Sequence, residues 1–277
     1  MRADQIKIIW KWRLGQLWRM IHAKLESSET QRTYILTYHS IGEHENSIPA
    51  HAFHSQMNYL AQNARVVPFD ELFRSRTHAH DRPTCAVTFD DGYASVHAHA
   101  LPILTKYRFP ASLYITTGAI GEREEKMSDL DPGLLPGLPM LTWAQIRDLQ
   151  HGGFTLGTHL VHHLDLTTLS REEAVAELKS SRNAIEQHTD KECIDFAYPW
   201  GSASKFCAGL VRDTGYRSAV TSIHSTVPAN CDPMFVPRVA IRREYTLGHI
   251  RAILCGDWDY LGFYQSVRDA LRIRKFH

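Results

Sequence analysis

Short apolar runs recur along this chain, and between them apolar residues fall at helical spacing. Tyr34 to Tyr38 reads as the first core strand, with His39 just past its end. Phe53, Met57 and Leu60 mark a helix, Val66-Val67 a short strand, and Asp70 to Phe73 a helical start. Cys85 to Phe89 is the next core strand, Tyr93 to Tyr107 is helical, and Ala111 to Thr116 is a strand. Residues 119–140 combine Gly, Pro and charges with little periodicity, and read as a long surface loop where substrate contacts are common. Thr142 caps a short helix that Gly152-Gly153 stop. Phe154 to Gly157 is a strand running into Thr158-His159, and Ser170 to Glu173 is a capping box opening a helix. Ile194 to Tyr198 is a strand that enters Pro199-Trp200-Gly201. A further helix stops at Gly215, and strands follow at Tyr216 to Thr221 and Phe235 to Ile241. Strands alternating with helices imply parallel pairing and an α/β fold. Seven or so such units without a long linker predict a single barrel rather than two domains.

Residues 6–25 follow a different pattern. Ile6, Ile9, Trp10, Leu14, Leu17, Trp18, Ile21 and Leu25 recur at helical spacing, among six Lys/Arg and one acid over residues 1–25. The longest apolar run there is Ile8-Ile9-Trp10, too short for a membrane span or a secretory h-region. A basic amphipathic helix with Trp suits a membrane surface or a partner protein, and equally suits packing on its own domain. Composition adds little: 43% hydrophobic and 22% charged residues are ordinary for a soluble protein, and a net charge of +1 gives no argument for nucleic acid. Five well-separated cysteines form no CxxC pair, which argues against a disulfide framework and fits a reducing compartment.

Chemistry-bearing residues gather just after the strands, where α/β folds place their sites. Asp90 and Asp91 follow a strand, and Gly92 supplies a turn after them. Taken alone this is a solvated Asp-Asp-Gly turn. His159 and His163, four residues apart, would share one face of a helical turn and grip one ion, with His162 as a rival for His163. Two histidines with Asp91 make a ligand set that leaves positions open for water and substrate. Such a set takes zinc, but also iron, cobalt or nickel.

Together these residues resemble the polysaccharide deacetylases of carbohydrate esterase family 4, the NodB-homology domain. Thr88 to Gly92 (Thr-Phe-Asp-Asp-Gly) matches the family's first motif. His159 to His163 is similar to its second, with Leu160 in place of the usual Ser/Thr. Phe196 to Gly201 is similar to the third, with Ala197 where many members have arginine. The late Leu-x-x-His motif has no good copy, since His249 fits it poorly. Instead, Leu36 to Ile41 and Val236 to Val239 resemble the branch that deacetylates poly-N-acetylglucosamine exopolysaccharides.

The resemblance implies a deformed (β/α)7-type barrel and a divalent metal, zinc first, on Asp91, His159 and His163. It implies Asp90 as general base and His39 as general acid. Arg238 would bind substrate or orient Asp90 in place of the missing motif arginine. Pro199, Trp200 and Tyr93 would contact an N-acetylated saccharide. The chain would divide into a basic helix and linker (1–33), the deacetylase domain (34–245) and a basic helical extension (246–277). Without a signal peptide or transmembrane helix, the expected location is cytoplasmic, with residues 6–25 offering peripheral attachment at the inner membrane face. Two other functions fit the same sequence: an O-acetyl esterase acting on an acetylated glycan, and a non-catalytic glycan-binding or scaffold protein at the membrane.

Overall fold

The structure, a computed structural model, describes residues 32–74, 82–121, 131 and 133–262. The helix expected over 6–25 and the basic residues near the C-terminus lie outside these. Among the described residues no helix is long and apolar enough to cross a membrane.

Eight strands pair in parallel: β1 Thr33–Tyr38, β2 Arg65–Val66, β3 Thr84–Phe89, β4 Ala111–Ile115, β5 Phe154–Thr158, β6 Asp195–Ala197, β7 Ser218–Val220 and β8 Val239–Ala240. Their order is β7-β6-β5-β4-β3-β1-β8, with β2 on the first half of β3. The helices are α1 Ala50–Asn63, α2 Glu71–Arg74, α3 Leu101–Tyr107, α4 Trp143–His151, α5 Arg171–Thr189, α6 Lys205–Asp213 and α7 Leu247–Leu254. β1 and β3 are buried almost throughout, which is why they read as largely apolar runs without a strict polar alternation.

Alternation along the strands separates two cores. Tyr34, Leu36, Tyr38, Cys85, Val87 and Phe89 face a large cluster with the surrounding helices, while Ile35, Ala86, Tyr114, Ala197, Val220 and Val236 form the barrel interior. One segment closes the curled sheet. Val236 bridges to Val220 of β7, and three residues on, β8 pairs with β1. This is the deformed (β/α) barrel that the sequence implied.

Four differences from the sequence reading have physical causes. The helix expected from Tyr93 begins as a π-turn over Val96–Ala100, and Arg108, in the left-handed region, ends it. The strand expected over Phe235 to Ile241 is broken because it serves both β7 and β1. The described part of the 119–140 loop is not wholly solvated: Leu134, Leu138 and Met140 bury themselves with Tyr93 and Ala119. Finally, His159 to His163 is not a helical turn. It is an irregular loop whose Leu160 takes φ 67° and is fully buried.

Candidate metal centre

Strand register brings the polar residues to one rim. Tyr38 pairs with Phe89, so His39 and Asp90 leave the sheet side by side, and the Asp90 N–H donates to the Tyr38 carbonyl at 3.0 Å. The pleat turns Thr88 and Asp90 into the barrel, where the Thr88 and Thr37 hydroxyls lie 3.0 Å apart. Asp91 then takes φ 75° and Gly92 φ 102°. The first is uncommon for a residue with a side chain, and it gives Asp91 a different set of neighbours from Asp90.

Asp90 is clamped by Arg238. Nη1 donates to Oδ1 and Nη2 to Oδ2, both at 2.7 Å, with both residues buried. The segment that closes the barrel carries Arg238 inward. Its Nε donates to the Thr221 carbonyl at 3.0 Å, and its guanidinium lies 5.4 Å from the centre of the Tyr114 ring. Burial opposes the Asp90 charge, but Arg238, with His159 and His39 nearby, outweighs it and holds the carboxyl below its ordinary pKa. A small Ala197 in the third motif is thus matched by an arginine arriving from a later segment.

Asp91 has no such partner. Its Oδ1 is buried without a hydrogen bond and lies 3.5 Å from Nε2 of both His159 and His163. His159 follows β5, where its N–H donates to the Ile115 carbonyl at 2.8 Å, and its Nδ1 lies 2.8 Å from the Ala197 carbonyl. That carbonyl only accepts, so Nδ1 carries the proton and Nε2 presents a lone pair toward Asp91. Burial drops the His159 pKa to about 4, against the pull of Asp90 and Asp91, so the ring is neutral near pH 7. The three ligand atoms lie within 4.8 Å of one another. Tetrahedral zinc with bonds near 2.1 Å separates its ligands by about 3.4 Å, so the two 3.5 Å separations fit such an ion. An orphaned carboxylate oxygen between two imidazoles is the donor set a divalent cation completes.

The remaining residues named from sequence fall in different places. Trp200, in a left-handed conformation at φ 60°, is 62% exposed and meets the His163 ring edge-on at 4.9 Å. Pro199 is buried beneath it. Tyr93 offers no ring face to a sugar: it is fully buried, its hydroxyl accepts from the Leu135 N–H at 2.7 Å, and that oxygen faces the Asp91 carboxylate. Arg238 is likewise closed to substrate, because its guanidinium is spent on Asp90. His162 points to Glu177, 2.8 Å away, and not to Asp91. His249 packs between Tyr245 and Trp258, with Nδ1 engaged by the cap residue Thr246. Sequence reasoning missed Glu177, whose Oε2 accepts from the N–H groups of Val161 and His162 at 2.9 and 3.0 Å. It also missed Asp131, whose Oδ2 accepts from the His163 N–H at 2.7 Å. Neither has a periodicity or motif to mark it.

A parallel barrel with clamped and unclamped carboxylates gathered at its strand ends has its polar cluster where enzymes of this architecture carry their active sites. The family model for polysaccharide deacetylase matches residues 77–219, just over half of the chain, and the chain belongs to that family. The match holds Asp90, Asp91, His159 and His163, while His39 and Arg238 lie outside it. Among curated proteins, the chain is 24% identical over 220 residues to a poly-β-1,6-N-acetyl-D-glucosamine N-deacetylase of Staphylococcus aureus, covering 75% of this chain and 72% of the relative. Among solved structures, the Streptococcus pyogenes deacetylase PplD in complex with acetate superposes with a TM-score of 0.68 at 20% identity, covering 80% of this chain and 98% of that one. IcaB from Ammonifex degensii gives 0.65 at 22%, covering 83% and 97%.

Proposed function

We propose that this chain is a metal-dependent N-deacetylase acting on N-acetylglucosamine residues of a glycan or its precursor. One observation carries the reading. Two adjacent buried carboxylates are in opposite states, Asp90 with both oxygens bound by Arg238 and Asp91 with an oxygen orphaned between two imidazoles. The relatives named for N-deacetylation of poly-N-acetylglucosamine support the choice of bond and sugar.

Asp91, His159 and His163 would hold the ion. A divalent metal there supplies a Lewis acid and lowers the pKa of water from about 16 to about 7. Asp90, kept ionised by Arg238, takes a proton from the water that attacks the acetyl carbonyl carbon. The Trp200 backbone N–H would be a donor to the developing oxyanion. His39, level with Asp90 across the register, gives its proton to the nitrogen as the C–N bond breaks, so acetate and a free amine leave. The exposed Trp200 ring is the platform for the sugar face. A peripheral contact of residues 6–25 with the inner membrane surface belongs to the same proposal, on sequence pattern alone. Deleting residues 1–30 should release the protein from membrane fractions, and unchanged partitioning would remove that part.

The test is acetate release from N-acetylglucosamine oligomers and from O-acetylated sugars, with and without chelator. The reading expects N-acetyl release that chelator abolishes and added zinc restores. Chelator-resistant release, or release from O-acetyl substrates alone, would contradict it.

A further inference from the structure

His159 and His163 are held in different ways. The His159 ring is steadied through its second nitrogen by the Ala197 carbonyl. Metal-bound imidazoles ordinarily have such a partner. The second nitrogen of His163, Nδ1, is buried with no hydrogen bond among the described residues. The backbone of Gly133 stands in that place. A Cβ on Gly133 would lie 2.5 Å from Nδ1, 2.6 Å from the His163 carbonyl oxygen and 2.7 Å from the His163 Cβ. Only a residue without a side chain lets the backbone form this wall.

Asp131 ties the wall to the ligand. Its Oδ2 accepts from the His163 N–H at 2.7 Å and its Oδ1 from the Gly133 N–H at 2.9 Å. Both oxygens are therefore used, and one carboxylate joins the Gly133 backbone to the His163 backbone. Other faces of the imidazole meet Trp200 at 4.9 Å and His159 at 4.8 Å, both edge-on. The same loop reaches the aspartate as well, because the Leu135 N–H donates at 2.7 Å to the Tyr93 hydroxyl facing Asp91.

We propose that Asp131 and Gly133 are positioning residues for the metal centre, presetting His163 so that the ion binds without reordering the loop. This rests on the metal reading above. It adds a third support to the ligand loop, beside the Ala197 carbonyl and Glu177, from a segment outside every motif seen in the sequence. An Asx turn that merely shapes the loop would use one Asp131 oxygen. Here the second oxygen goes to a ligand residue thirty-two positions away.

The experiment measures Zn(II) affinity by competition with a chromophoric chelator, together with the visible spectrum of the Co(II)-loaded protein. The proteins are the full chain, Asp131→Ala, Asp131→Asn and Gly133→Ala, with Asp91→Ala as the reference for a lost ligand. Asp131→Ala and Gly133→Ala are expected to weaken Zn(II) binding about 10- to 100-fold and to change the Co(II) bands. Asp131→Asn, which keeps one acceptor and the side-chain shape, should fall between. Melting of the metal-free proteins separates this from simple loop damage, which lowers Tm and leaves affinity and spectrum unchanged. Wild-type affinity and spectrum in both Asp131→Ala and Gly133→Ala would overturn the proposal. Should the full chain bind Zn(II) no better than Asp91→Ala, the metal reading itself fails, and the positioning role with it.

Discussion

The two sides of the rim treat a buried carboxylate in opposite ways. On the β1–β3–β8 side, Asp90 meets a guanidinium that satisfies both its oxygens in one plane. On the β4–β5–β6 side, Asp91 and His163 each keep a buried polar atom with no hydrogen-bond partner among the described residues. An unsatisfied buried donor or acceptor costs about 1–3 kcal/mol. The turns on that side add strain: Asp91, Leu160 and Trp200 all have positive φ without being glycine. The other two such residues among those described, Arg108 and Asp190, only end helices. Each costs of order 1–3 kcal/mol where the surroundings enforce it. On the proposed reading the satisfied side would accept the proton, and the unsatisfied side would be the cradle for the metal.

The largest effect that breaks this comparison is loss of a ligand. Asp91→Ala or His159→Ala should reduce acetate release to the level without enzyme, with bound metal lost on elemental analysis. Next is Asp90→Asn, which should lower kcat by about 10²- to 10⁴-fold in a steady-state assay, the range for a missing general base. Arg238→Met leaves Asp90 buried and unpaired, so denaturant unfolding should show a loss of about 3–5 kcal/mol. The sign of its pH effect follows from the Asp90 carboxyl, which Arg238 holds below its ordinary value. The stabilisation is present above the ordinary carboxylate range and is lost as pH falls through the lowered folded value. Without Arg238 the acid limb of kcat/KM should move to higher pH, and an unmoved limb would separate Arg238 from the base. The smallest effect is Trp200→Ala. Losing one exposed stacking ring is worth about 1 kcal/mol, so KM for oligomers should rise about fivefold with little change in kcat.

Much of the fold was legible because its signals are local. Buried strands such as β1 and β3 show themselves as largely apolar runs, and the helix caps at Thr142 and Ser170 can be read from residue type and spacing. The residue types of the site were legible for the same reason, since they follow strand ends. Their arrangement was not. The spacing of His159 and His163 looks helical, yet the pair is brought together by a left-handed turn at Leu160, a residue whose type gives no hint of it. Tyr93 reads as a sugar platform until its burial under Leu134 and Leu138 is seen. Arg238 could be placed near Asp90 only by the segment that closes the barrel, a pairing between positions 148 residues apart. Asp131 and Glu177 act through backbone N–H groups, which any residue type presents.

The most direct test sets the two carboxylates against each other by counting metal. Equilibrium dialysis of Asp90→Asn and Asp91→Asn against Zn(II), beside the unaltered chain, reports stoichiometry without relying on turnover. The site geometry predicts that Asp90→Asn keeps the metal content of the unaltered chain and that Asp91→Asn loses it. Loss of metal from Asp90→Asn, or full metal in Asp91→Asn, would contradict the division of labour between these neighbours.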